Sequence, residues 1–278
     1  MAPPRVLVLS YCHVRDFGDR LGFHLINAVL PPDVETTFHP LWPWQPPVRQ
    51  DWDLVVLGIG NSLNPQMVVS LHDPLMALME RSRHSIGIFG TQYRPLYDRW
   101  RLAGLIGGLD HWYARYRDDL ELAGSQARAS HLGDWLIDAF PLVAPTKDRM
   151  LKLEGDILTK RRGLDWLIQE IQAYRYVFSP RLHPLLCALC SAEQVAYVEQ
   201  HDVGHRPELV SGKFAAMLQD VFGRTWPERD LFPVDRDAVI AYRRMVRANI
   251  AAMRGDIAAM LQSSVGSPAA VQAPIEPR

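Results

Sequence analysis

The chain has 278 residues, of which 48% are hydrophobic and 22% are charged. These proportions are typical of a globular protein that buries a core, and the length allows one large domain or two smaller ones. The 30 Lys and Arg residues nearly balance the 31 Asp and Glu residues, which gives a formal net charge of -1. Because such a chain lacks a strong positive field, we expect no nucleic acid among its partners.

The first half of the chain alternates apolar runs with helical patterns. Residues Val6–Ser10 (VLVLS) are typical of a strand that is buried on both faces, and a helical pattern runs from Leu21 to Leu30. The alternation continues through further predicted strands and a helix: Thr36–Phe38, Asp53–Leu57, Val68–Arg81 and Ser85–Phe89. Strands and helices at this spacing predict a parallel, doubly wound sheet, whose ligands bind beyond the carboxyl ends of the strands.

Three loops follow those strand ends, and each carries candidate residues. In GIGNSLN, Gly60 permits close approach of the backbone to a ligand and Asn61 offers an amide to a sugar hydroxyl, although a glycine pair is as often only a tight turn. Asp19 either binds a ligand or caps the helix that follows, and capping is the simpler interpretation. Gln92, in GTQYR, is a candidate for the acceptor side of a site.

The second half begins with the charged segment TKDRMLKLEGDILTKRR at residues 146–162, which we interpret as a linker. Helices and strands are then predicted as follows: helix Leu164–Gln172, strand Arg175–Ser179, helix Pro184–Leu189, strand Val195–Val198, helix Lys213–Phe222 and a long helix Asp237–Leu261. The corresponding divisions are an N-terminal lobe over 1–144, a C-terminal lobe over 145–234, an amphipathic helix over 235–262 and a disordered tail over 263–278.

The cysteines are few and odd in number: Cys12, Cys187 and Cys190. This count argues against a disulfide scaffold and favours a reducing compartment. The C-x-x-C pair lacks a second pair, so it predicts packing within a helix and no metal site. The N-terminal apolar run is too short for a secretory signal or a membrane span, so we expect a cytoplasmic protein without a transmembrane segment.

The segment YVFSPRLHPLL combines a strand, a proline turn and the start of a helix. A helix start attracts anions through its amide groups, and Arg181 adds a cation of forked geometry. His183 adds a group that exchanges a proton near neutral pH. The alternative is that His183 bonds a backbone carbonyl and Arg181 pairs with a surface carboxylate. Lys213, at the start of a later helix, is able to reach an anion, although a solvated lysine is the default.

Several blocks of the chain, in order from about Val6 to Gly223, resemble the polysaccharide pyruvyl transferase family. The sequence DFGD, which contains Gly18 and Asp19, is similar to the family's N-x-G-D block, with Asp16 in place of the asparagine. DWDLVVLGIGNSL is similar to its strand and glycine-rich loop. SPRLH at residues 179–183 is similar to its S-R-L-H block, with a proline inserted after the serine.

A further block, YARYRDDLELAG, is similar to a family strand that ends in an arginine. Arg115 is the first candidate for the counterpart of that arginine, and Arg117 is the second. The resemblance implies two Rossmann-like lobes with parallel sheets, similar to GT-B glycosyltransferases, and a site in the cleft. It also implies transfer of pyruvyl from phosphoenolpyruvate to two hydroxyls of a sugar, which forms a cyclic ketal.

In that reaction Arg181 and Arg115 would hold the anionic donor, and His183 would serve as general acid or base. The donor is a substrate and no cofactor is implied. The acceptor would be a saccharide of an exopolysaccharide precursor, and a lipid-linked acceptor would place the protein beside the inner membrane surface. Two alternatives stay open: a GT-B-like glycosyltransferase that uses a nucleotide sugar, and a sugar-binding relative without catalysis.

Overall fold

A computed structural model describes residues 2–11, 17–49, 51–60, 63–125, 127–153, 163–202 and 206–265. It is an α/β protein with a large parallel sheet and a smaller mixed sheet. The strands are β1 (Arg5–Ser10), β2 (Glu35–Pro40), β3 (Leu54–Gly60), β4 (His84–Phe89), β5 (His111–Ala114), β6 (Ala129–His131), β7 (Lys147–Lys152), β8 (Tyr174–Ser179), β9 (Gln194–Tyr197), β10 (His201–Asp202), β11 (Arg206–Val210) and β12 (Phe232–Pro233). The α-helices are α1 (Phe17–Val29), α2 (Pro65–Arg81), α3 (Arg99–Gly107), α4 (Leu164–Gln172), α5 (Leu182–Leu189), α6 (Lys213–Phe222) and α7 (Arg236–Val265).

The large sheet has the strand order β2-β1-β3-β4-β5-β6, and all of its pairings are parallel. Its strands are the apolar runs of the first half, because a strand covered by helices on both faces needs hydrophobic side chains in both directions. Val6 and Val8 face one core cluster, whereas Leu7 and Leu9 face another. The predicted doubly wound sheet is therefore present.

The small sheet has the order β12-β9-β8-β7, and its β12 strand is antiparallel to β9. The expectation of two purely parallel sheets was therefore wrong for the second one. Strand β7 lies inside the segment that was interpreted as a linker, so that interpretation was also wrong for residues 147–152. A charged run forms a strand there because β7 is at the sheet edge and most of its residues are exposed or half-buried.

One hydrophobic cluster joins the two sheets through the long helix α7. It contains Val6 and Val8 of the large sheet, Val177 and Val195 of the small sheet, and Val246 of α7. The cluster also includes both cysteines of the C-x-x-C pair, which are fully buried and free, as the packing interpretation predicted. Cys12 lies outside the described residues.

The last helix is longer than the sequence pattern indicated. It continues to Val265, three residues into the segment that was expected to be a disordered tail. Residues 266–278 lie outside the described part of the chain. Within the described ranges, the structure contains no helix with the length and apolar character needed to cross a bilayer.

Candidate functional site

The loops that follow β4 and β5 of the large sheet contact α6 and the segment just before it. The backbone N–H of Tyr93, in the loop after β4, donates to the carbonyl oxygen of Ser211 at 3.0 Å. The backbone N–H of Arg117, after β5, donates to the Asp220 carboxylate at 3.3 Å. The chain thus brings the strand-end loops of one sheet against α5 and α6, which is where parallel α/β folds place their ligands.

Arg115 lies at the centre of this junction, immediately after β5. Its side chain is only 1% exposed. Its Nη2 donates to Asp134 Oδ2 at 2.6 Å and to His183 Nε2 at 3.0 Å. Two residues that are 68 positions apart in the sequence, and that were predicted to act together, are therefore in direct contact.

The loop glycine Gly60 gives this guanidinium its space. A Cβ atom at Gly60 would lie 3.3 Å from Arg115 Nη1, and the backbone has a φ of +73°, which disfavours other residues. Beyond Gly60, the candidate Asn61 lies outside the described residues. The group that approaches Gly60 is a protein side chain, and its predicted approach to a ligand stays a prediction.

The carboxylate that neutralises Arg115 is held by a second buried contact. The Asp134 backbone N–H donates to the Tyr242 hydroxyl of α7 at 2.6 Å, and Asp134 itself is fully buried. Burial raises the pKa of Asp134, although the neighbouring Arg115 works against that rise. Burial also works to lower the pKa of Arg115, but Asp134 more than compensates and keeps the guanidinium charged. The pair is thus a fixed buried ion pair.

His183 is held as a neutral imidazole with one defined tautomer. Its pKa is lowered well below the ordinary value, first by burial and then by the nearby charges of Arg115 and Lys213. A guanidinium only donates hydrogen bonds, so the Nε2 atom that faces Arg115 must be the acceptor and Nδ1 must carry the proton. In this arrangement the Nδ1–H group can donate to an anionic oxygen of a ligand.

Two further cationic residues belong to the helix starts of the second half, and one of them, Lys213, is an electrostatic neighbour of His183. Arg181 is half-buried at the N-cap of α5, where its backbone N–H donates to Ser179 Oγ at 3.0 Å. Lys213, at the start of α6, donates to the side-chain oxygen of Gln200, whose amide donates to the Pro180 carbonyl at 3.5 Å. Gln200 therefore links the start of α6 to the proline turn before α5, and it holds the Lys213 charge close to the imidazole.

The other predicted site residues are less central. Arg117 is exposed, and its described contact is the backbone bond to Asp220. Gln92 is half-buried in the loop after β4, beside the Tyr93 amide that contacts the second half. Gly18 lies in the first turn of α1, and the side chain of Asp19 lies outside the described part of the chain.

Sequence reasoning missed the buried carboxylates that organise the junction. Besides Asp134, these are Asp119 and Glu199. Glu199 accepts from the backbone N–H groups of Phe214 and Ala215 at 3.2 and 3.3 Å, so it occupies the positive start of α6. One sequence feature could have indicated Glu199 as a site residue: it directly follows the apolar run VAYV, where a strand ends.

Across the described ranges, no three His, Cys, Asp or Glu side chains are grouped as metal ligands. A comparison of the whole chain with protein-family models finds no match. A comparison with curated proteins finds no match either.

Proposed function

We propose that the protein transfers pyruvyl from phosphoenolpyruvate to a sugar and that His183 is the centre of its active site. The observation that carries the proposal is the contact between Arg115 and His183, at 3.0 Å, with the Lys213 charge near the imidazole and Arg181 at the N-cap of the same helix. A small donor with one phosphate and one carboxylate needs several cations close together, and Lys213 and Arg181 are the candidates at this junction.

The burial of Arg115 favours a positioning role over direct contact with the donor. Its Nη2 is already engaged by Asp134 and His183, and its side chain has almost no exposed surface. Arg115 would thus hold His183 in the tautomer that presents Nδ1–H. Arg181 and Lys213, which are half-buried at helix starts, are the residues that would contact the donor phosphate and carboxylate.

The reaction balances without a cofactor. One sugar hydroxyl oxygen bonds to the central carbon of phosphoenolpyruvate, the methylene carbon gains a proton and the carbon–oxygen bond to phosphate breaks. The second hydroxyl oxygen then bonds to the same carbon and closes the ketal ring. The two hydroxyl protons end on the new methyl group and on the released phosphate. A donor hydrogen bond from His183, together with the two cations, would stabilise the charge that develops on the leaving phosphate.

The start of α6 argues against a nucleotide-sugar donor. In many folds a diphosphate binds the free amide groups at a helix start. Here the amides of Phe214 and Ala215 already donate to Glu199, which also accepts from the Ser211 hydroxyl at 2.5 Å. A diphosphate at this position would meet a carboxylate.

Phosphate release in the presence of phosphoenolpyruvate and pyranoside diols tests the proposal. We expect release that depends on both substrates, and its loss in His183→Gln and Arg181→Ala. His72→Gln is the matched control, because His72 contacts Asp73 at 2.7 Å in α2 and takes no part in the junction. Sugar transfer from UDP-glucose without phosphate release from phosphoenolpyruvate would instead support the glycosyltransferase alternative.

A further inference from the structure

A separate cavity of about 370 Å³ lies along the long helix α7. It is lined by Leu142, Ile240, Arg243, Arg244 and Arg247. The four helical residues are spaced by three, four and seven positions, which places them on one face of the helix. Three of the five lining residues are therefore arginines that project from the same helix face.

Two of these three guanidinium groups, those of Arg243 and Arg247, share a single acidic neighbour. Asp138 Oδ1 accepts from Arg247 Nε at 2.5 Å and lies 3.5 Å from Arg243 Nη2. In the part of the chain that the structure describes, no other carboxylate forms an ion pair with the three arginines. The cavity wall therefore carries three positive charges against one negative charge.

Arg243 is the buried member of the set. Its side chain is 8% exposed, and its Nη2 makes two long contacts with Asp138, to the carbonyl oxygen at 3.4 Å and to the carboxylate. Its Nη1 is buried with no oxygen or nitrogen partner among the described residues, and the buried Cys190 thiol, a weak hydrogen-bonding group, lies beside this guanidinium. A guanidinium that is taken out of water and only weakly neutralised raises the free energy of the folded state, and a nearby anion would offset that cost.

A fourth arginine, Arg236, lies one turn before the lining residue Ile240 on the same helix. Arg236 donates to the carbonyl oxygens of Leu189 at 3.2 Å and of Val143 at 3.5 Å, and Val143 follows the lining residue Leu142. Carbonyl oxygens carry no formal charge, so Arg236 adds to the positive potential at this face. The side chains of Leu142 and Val143 are 44% and 41% exposed, which leaves an apolar rim beside the cations.

We propose that this cavity binds a small oxyanion, a phosphate or carboxylate group, through Arg243, Arg244 and Arg247. The planar guanidinium matches two oxygens of such a group, which a single lysine would not do. The cavity is distinct from the His183 junction. Tyr242 of α7 faces Asp134 there, whereas the adjacent Arg243 faces Asp138.

Calorimetric titration with inorganic phosphate and with citrate tests the proposal. We expect binding to the full chain that becomes about tenfold weaker in Arg247→Gln and in Arg244→Gln, because each variant removes one charge-assisted contact. Both residues are exposed, so both variants should fold. Arg224→Gln is the control, since Arg224 is exposed and lies over the Trp226 ring, away from α7.

A second variant separates this site from the proposed active site. Arg181→Ala should keep the part of the titration that Arg244→Gln and Arg247→Gln weaken, even if the protein has no pyruvyl transfer activity. Absence of binding in the wild-type protein, or binding that the two α7 variants leave unchanged, would overturn the proposal.

Vesicles that contain phosphatidylglycerol identify the source of the anion. Cosedimentation that Arg244→Gln abolishes assigns a lipid headgroup, and binding of phosphate alone assigns a soluble anion.

Discussion

Replacing Asp134 with asparagine removes the charge that neutralises Arg115 and keeps an oxygen in the same place. The pair is almost fully buried, with side chains 1% and 0% exposed, and the oxygen–nitrogen distance is 2.6 Å. Removing one partner of such a pair leaves an uncompensated charge in a medium of low dielectric constant, which costs about 3–5 kcal/mol. Because asparagine still accepts a hydrogen bond, we expect the lower end of this range.

Thermal unfolding at neutral pH measures the effect. A loss of about 3 kcal/mol in a chain of this size corresponds to a melting temperature lower by roughly 6–12 °C. Asp148→Asn is the control, because Asp148 is 74% exposed and pairs with Arg175 at the surface. This control should melt close to the wild-type temperature, since exposed pairs contribute little.

A variant that lacks both charges provides a second test of the buried pair. Arg115→Met combined with Asp134→Leu removes both charges, so it should be more stable than Asp134→Asn alone, while pyruvyl transfer is lost because nothing holds His183. If Asp134→Asn melts together with the wild-type protein, the buried-pair reasoning is refuted. It is equally refuted if the double variant is the less stable of the two.

Three further results are expected. Gly60→Ala should lower stability by about 1–2 kcal/mol through its left-handed backbone, and it should reduce turnover because the new methyl group presses on Arg115; unfolding curves and phosphate release measure both. Glu199→Ala should cost about 1–2 kcal/mol, since the start of α6 loses its acceptor; a denaturant titration measures this. The folded-state pKa of His183 is depressed, so its neutral form stabilises the fold above pH ~6.5 and this contribution is lost as the pH falls below that value. The wild-type protein should therefore lose stability relative to His183→Gln on going from pH 7.5 to 5, and parallel melting curves would contradict this.

The sequence predicted the buried strands well because their physical requirement is local. A strand covered on both faces must be apolar throughout, and Val6–Ser10 and Asp53–Leu57 satisfy that requirement within five residues. The strand Lys147–Lys152 was missed because an edge strand tolerates charge. Its formation depends on the neighbouring strand β8, which a local pattern does not contain.

The candidate site was predictable only in part, for a related reason. Arg181 and His183 stood out because they follow a strand end and start a helix. Asp134 did not stand out, because its partners Arg115 and Tyr242 lie 19 and 108 residues away. The pairing of a buried charge is a property of the folded chain, and a single sequence does not contain that information.

The most direct test of the central claim is a histidine-selective nitrogen NMR titration with phosphoenolpyruvate. The resonance of His183 is assigned by its absence in His183→Gln. The account predicts that the spectrum of the free protein reports a neutral ring with the proton on Nδ1, and that phosphoenolpyruvate shifts this signal in the wild-type protein but not in Arg181→Ala. A His183 signal that phosphoenolpyruvate leaves unchanged, at concentrations that saturate any binding, would contradict it.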